Sequence, residues 1–216
     1  MAKQKRKSKI LLISIVGVIL TIGLVLGGIW LYNRNLTYGF EEELNEDEKA
    51  LRTGLITAAE EWLGCNEADG THKAVIDLYN SHEPLAQGYQ VQYDDEWCAT
   101  FVSAAAIRAG LTQIIPTECG CERQIGLFEQ LDCWQEEDDY KPLPGDIIYY
   151  SRSSSAFTGD CTAWSDHVGI VVGTNGNRIK VIEGNYGERV DYRYIQVNDS
   201  IIRGYATPDY SVLTES

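Results

Sequence analysis

The chain has 216 residues, 44% hydrophobic and 23% charged, with 18 Lys+Arg against 32 Asp+Glu for a net charge of −14. This composition excludes a chain disordered throughout, and the length allows one domain with an appendage. Residues 1–34 hold six basic groups and no acid, so residues 35–216 carry 12 basic against 32 acidic groups, a net −20; a body that acidic repels phosphate backbones, which excludes ordinary nucleic-acid binding.

A basic tail, 1–9, precedes an uncharged apolar run of 23 residues, Ile10 to Tyr32. A helix of that length reaches about 34 Å, enough for a hydrocarbon core of about 30 Å. Five basic residues lie before the run and only Arg34 follows closely, so the positive-inside bias predicts a cytoplasmic N-terminus. A cleaved signal peptide is the competing reading. It needs a shorter apolar stretch and small residues at the cleavage site, whereas Ile29-Trp30-Leu31-Tyr32 is bulky. The expectation is therefore one transmembrane helix over 10–32, a stalk over 33–45, and a domain over 46–216 outside the cytoplasm.

Asn45 with Glu48 reads as a helix-capping pair, followed by Leu51, Leu55, Ala58, Ala59 and Trp62 at helical spacing and stopped by Gly64. A second short helix is expected from Thr71 to Tyr79. A third, strongly apolar helix begins near Trp97 and ends at Gly110, and a fourth covers 122–131. From Pro144 the pattern changes to strands: Ile147–Tyr150, His167–Val172, Ile179–Glu183, Arg193–Val197 and Ile201–Ala206, rich in Val, Ile and Tyr. Turn residues separate them, notably Gly173 to Gly176, and residues 151–165 read as a Ser/Thr/Gly-rich loop. Helices first and strands afterwards imply an α+β domain, its N-terminal helices packed on a mainly antiparallel sheet.

Cys98 sits at the start of the third helix, where the positive end of the helix dipole favours thiolate. The acids Asp94, Asp95 and Glu96 oppose that effect. The plain alternative is a small buried hydrophobe. His167 opens a strand, whereas His72 and His82 lie at the polar edges of the second helix and are expected in solvent. If the His167 strand pairs with the next, Glu183 or Asn185 falls beside His167 and can hold its ring. Such a set supplies a nucleophile, a base and an orienting group.

Asp95-Glu96-Trp97-Cys98-Ala99-Thr100-Phe101-Val102, Pro144-Gly145-Asp146-Ile147-Ile148, Asp166-His167-Val168-Gly169-Ile170-Val171 and Ile182-Glu183-Gly184-Asn185 resemble the motifs of the CHAP family, the cysteine, histidine-dependent amidohydrolases/peptidases. The resemblance spans roughly residues 50–208. It implies a papain-like fold, Cys98 as nucleophile, His167 as base and Glu183 as orienter with Asn185 nearby. It also implies bacterial peptidoglycan as the substrate, cut at an amide bond. Asp146 reads as a structural residue starting its strand. Many members carry a Gln directly before the nucleophile, where this chain has Trp97; the Cys98 backbone N–H remains an oxyanion donor.

Cys65, Cys119, Cys121, Cys133 and Cys161 remain once Cys98 is set aside. Outside the cytoplasm at most two disulfides can form among five, with at least one pair expected to be oxidised and Cys98 reduced. A zinc site from Cys119, Cys121, Cys133 and Cys161 lacks paired Cys-x2-Cys spacing, and no calcium or phosphate loop is present, so no metal or cofactor is assigned. The reading is thus a membrane-anchored amidase or endopeptidase with peptidoglycan and the lipid bilayer as partners. Its rivals are a catalytically silent wall-binding module presenting Trp62, Trp97, Trp134 and Trp164 with many tyrosines as stacking surfaces, and a peptidase acting on an envelope protein.

Overall fold

The computed structural model describes residues 38–39, 44–137, 139–151 and 164–214. The expected basic tail, the expected membrane helix over 10–32 and most of the stalk lie outside the described residues, as do residues 152–163 with Cys161. Among the described residues, no helix is long and apolar enough to cross a membrane.

Helix α1 (Glu46–Glu60) starts where the sequence predicts. The Asn45 side chain accepts a hydrogen bond from the Glu48 N–H at 2.7 Å, and Glu46, Asp47 and Glu48 place negative charge on the positive end of the dipole. One face buries Leu55, Ile56, Ala58 and Ala59. Helix α2 (Lys73–Asn80) begins two residues later than expected, because Thr71 donates both its N–H and its hydroxyl to Asp69 in the preceding turn. Helix α3 (Cys98–Ala109) has nine of its twelve residues buried, and Gly110, in the left-handed region at φ +71°, ends it. Helix α4 (Cys121–Gln130) closes the helical part and buries Cys121, Gln124, Ile125 and Phe128.

The strands are β1 (Trp134–Gln135), β2 (Ile147–Tyr150), β3 (His167–Asn175), β4 (Arg178–Glu183), β5 (Asp191–Gln196) and β6 (Ile202–Ala206). They form one sheet in the order β1-β6-β2-β3-β4-β5, with every pairing antiparallel. The α+β class and the antiparallel sheet are as expected. The short β1 was not foreseen, and Gly173, Thr174 and Asn175 extend β3 rather than forming a turn, which narrows to Gly176-Asn177.

Alternation along the strands sorts the sheet into two faces. Ile147, Tyr149, Val168, Ile170, Ile182 and Ala206 join the core beneath the helices, which includes Phe101, Val102 and Phe128. Ile148, Tyr150, Val171, Val181, Ile195 and Tyr205 form a second cluster on the other face.

A buried ion pair ties the layers together. Arg52 of α1 reaches Asp146 at 2.9 Å and the Pro144 carbonyl at 3.0 Å, while the other Asp146 oxygen accepts from the Tyr140 hydroxyl and the Leu143 N–H. Asp146 is fully buried, so these bonds replace its lost hydration. It is the structural residue that its motif predicts.

Candidate active site

Cys98 is the first residue of α3, His167 the first of β3 and Glu183 the last of β4. The three side chains are 4%, 1% and 0% exposed. The pairing of Ile170 with Ile182 continues to place Glu183 opposite Gly169, diagonal to His167 on the same sheet face. Gly169 makes that diagonal possible: a Cβ there would lie 2.7 Å from Glu183 Cγ and 2.6 Å from Val181 Cγ1. With the space clear, His167 Nε2 and Glu183 Oε2 meet at 2.8 Å. Gly184 performs the matching task on the helix side, since a Cβ there would sit 2.3 Å from Phe101 Cβ. β4 can therefore end directly against the first turn of α3.

Nε2 is committed to Glu183, and among the described residues the buried Nδ1 bonds to no other group. Nδ1 is thus the nitrogen left to serve Cys98, and thiol and ring perturb each other's charge. The Cys98 thiol is driven well below its ordinary value, first by a hydrogen bond from Cys121 and then by His167, against the cost of burial. Burial opposes charge on His167, but Cys98 and Glu183 outweigh it and raise the ring to about 9. Burial likewise disfavours the Glu183 carboxylate, yet His167 and Arg193 hold it below its ordinary value. Each shift favours the charged form, so thiolate, imidazolium, carboxylate and guanidinium support one another in sequence.

Three members of this arrangement were not anticipated. Arg193 of β5 donates through Nε to Glu183 Oε1 at 2.6 Å. Tyr150 of β2 stacks on the His167 ring, with centroids 5.9 Å apart and an interplanar angle of 27°. Cys121, at the start of α4, brings its Sγ within 3.7 Å of Cys98 Sγ. The signals were present: Arg193 begins an expected strand, and Cys121 immediately precedes an expected helix.

Asn185 takes a different partner from His167. Its Nδ2 donates to Glu96 Oε2 at 2.7 Å, which straps the end of β4 to the segment leading into α3. Trp97 is fully buried, donates from Nε1 to Glu67 Oε1 at 2.9 Å and packs on His72, so its side chain anchors the helix start. The N–H of Cys98, first in its helix, has no intrahelical acceptor and is available to a developing oxyanion.

His72 is 3% exposed rather than solvated, with its ring nitrogens facing the carbonyls of Asn66 and Tyr93 at 3.2 and 3.0 Å. The segment before α3 folds back over α2 and covers it. Cys65, Cys98, Cys119, Cys121 and Cys133 are all free thiols, so the expected oxidised pair is not found among the described cysteines. A cavity of about 490 Å³ is lined by Gln87, Tyr89, Val91, Asp95, Glu96, Cys119 and Arg123, its Glu96 being the partner of Asn185.

Residues 88–185 match the family model of the CHAP domain. All four motifs fall within this span, which is just under half of the chain. CHAP domains are generally hydrolases of the amidase or peptidase class and often act on peptidoglycan. Among solved structures, the chain is similar to NlpC1 from Trichomonas vaginalis at 18% identity and a TM-score of 0.39, over 81% of this chain and 48% of that one. The chain thus spans about half the length of that structure. No curated protein sequence matches it.

Proposed function

We propose that the protein is a papain-like cysteine amidohydrolase or peptidase that cuts amide bonds of bacterial peptidoglycan, acting outside the cytoplasm from a membrane anchor formed by residues 10–32. The observation that carries this reading is the buried Cys98–His167–Glu183 set, with His167 Nε2 2.8 Å from the carboxylate and Nδ1 left for the thiol. Cys98 thiolate attacks the amide carbonyl, and His167 gives its proton to the leaving amine. Water, deprotonated by the now neutral His167, then releases the acyl group and regenerates the thiolate.

The burial of the tryptophans disfavours the wall-binding rival. Trp62 is 3% and Trp97 0% exposed, Trp134 packs edge-on against Tyr149, and only Trp164 of the four is open, at 75%. A stacking platform built from them keeps only the open Trp164 and the half-buried Trp134.

Purified peptidoglycan digested with the protein should gain free amino groups and no reducing sugar ends, because acyl-enzyme chemistry does not cleave a glycosidic bond. A new L-alanine terminus identifies the amidase, and another terminus identifies the endopeptidase. New reducing ends without new amines, or full activity in Cys98→Ala, would overturn the reading.

A further inference from the structure

Cys98 and Cys121 each open a helix, and the starts of α3 and α4 meet with the two sulfurs 3.7 Å apart. Both thiols are buried, at 4% and 9% exposure. Of the other described cysteines, the Cys119 thiol lies against Tyr79 and Glu118, and Cys133 donates to the Leu131 carbonyl. Amide hydrolysis uses Cys121 only as a hydrogen-bond donor that favours the Cys98 thiolate, so the redox capacity of a second sulfur at contact distance goes unused. A thiolate-favouring site beside a second thiol has the features of a redox-reactive pair.

We propose that Cys98 and Cys121 form a peroxide-reactive dithiol, in which oxidation at Cys98 is captured by Cys121 as a reversible disulfide that switches hydrolysis off. The proposal rests on Cys98 being the nucleophile of the reaction above. The oxidant is a hydroperoxide, here hydrogen peroxide. The Cys98 thiolate attacks one peroxide oxygen; the S–O bond forms, the O–O bond breaks, and hydroxide leaves to take the proton held by His167. Sulfur is oxidised by two electrons to the sulfenic acid, and peroxide is reduced by two. The Cys121 sulfur then attacks Cys98; the S–S bond forms, the S–O bond breaks, and the Cys121 proton leaves with the oxygen as water. In total, two thiols and one peroxide give one disulfide and two waters.

Access and distance both permit the step. A thiol that must admit a substrate carbonyl admits a smaller hydroperoxide along the same approach. The sulfurs, already in contact at 3.7 Å, must close to about 2.05 Å, and each stands in the first turn of its helix. Capture also protects the enzyme, because an unresolved sulfenic acid proceeds to the irreversible sulfinic acid.

The test treats the full chain with hydrogen peroxide, blocks remaining thiols, and maps peptides by mass spectrometry without reduction, fragmenting far enough to tell Cys119 from Cys121. The expected result is a Cys98–Cys121 link, with peptidoglycan hydrolysis falling at least tenfold and returning on dithiothreitol. In Cys121→Ser the link is lost, Cys98 accumulates as sulfinic acid, and dithiothreitol no longer restores activity. Wild-type protein that gives sulfinic Cys98 beside free Cys121, or that links Cys98 to another cysteine, would overturn the proposal, and this mapping stands even where the variant does not fold. Equal recovery of Cys121→Ser by dithiothreitol would overturn it too. Mapping needs no turnover, so protein that links but never cuts peptidoglycan supports the dithiol and refutes the functional reading, whereas protein that cuts but never links refutes the dithiol alone.

Discussion

The site favours charges that alternate in sign, from a Cys98 thiolate to the His167 imidazolium, the Glu183 carboxylate and the Arg193 guanidinium. Cys98, His167 and Glu183 are buried and Arg193 is half-buried, each beside an opposite charge, which is how ionised groups survive a low-dielectric interior. The His167 value near 9 sets an alkaline limit. The rate, read as kcat/KM on peptidoglycan, should stay level through neutral pH and fall as pH rises through about 9, where the ring loses the proton it must give the leaving amine. A rate that still climbs above that pH contradicts the assignment. Cys98→Ala should reduce turnover to background and also lower the His167 titration midpoint, followed by NMR, because one of the two groups that raise it is gone. An unchanged midpoint would mean that Cys98 is not its partner. His167→Ala should cost about 10²–10⁴-fold or more. Glu183→Gln should cost less, since its amide oxygen can still accept from the ring while the charge is lost.

At the scale of elements, two features hold the site in place from a distance. Arg52 and Asp146 join α1 to the start of β2 through a pair whose side chains are 7% and 1% exposed. Asp146→Ala removes the buried carboxylate from Arg52, which keeps Glu48 at 2.8 Å and the Pro144 carbonyl. It also takes an acceptor from the Tyr140 hydroxyl and the Leu143 N–H, so urea unfolding should report a loss of about 3 kcal/mol, while activity per folded molecule persists because neither residue touches the reacting groups. A loss under 1 kcal/mol would show that Arg52 finds other partners. Gly169→Ala acts differently, because its Cβ meets Val181 and Glu183 below 3.0 Å. The overpacking should cost about 1–3 kcal/mol, and activity should fall together with stability as Glu183 is pushed from His167. Wild-type activity in Gly169→Ala would mean that the Glu183 position is not constrained by that strand.

Among the described residues, the helical and strand layers converge on one end of the sheet. The helical layer delivers Cys98 and Cys121, the strand layer delivers His167, Glu183 and Arg193, and the glycines in the strand motifs allow the layers to approach. The net −20 of residues 35–216 lies wholly beyond the basic tail and apolar run, an asymmetry that fits an anchored body facing away from an anionic inner leaflet. Fractionated cells should therefore retain the full chain in the membrane through a carbonate wash, and protease added after wall removal should digest the body. Complete protection of the body, or release of the full chain by carbonate, would sink the proposed topology.

Local rules were enough for much of this. The Asn45–Glu48 cap, the Gly110 stop, most strand limits and the order of Cys98, His167 and Glu183 follow from periodicity, capping and motif spacing, which act over a few residues. The choice between Glu183 and Asn185 did not follow, because register and the space above Gly169 decide which side chain reaches the ring. Cys121, Arg193 and Tyr150 joined the site, and His72 left solvent, for the same reason: each contact links residues far apart in the chain. Sequence by itself determined which groups could do the chemistry. Only the tertiary structure decided their partners, because burial and opposed charge at a few ångströms are properties of the packed molecule and not of any one segment.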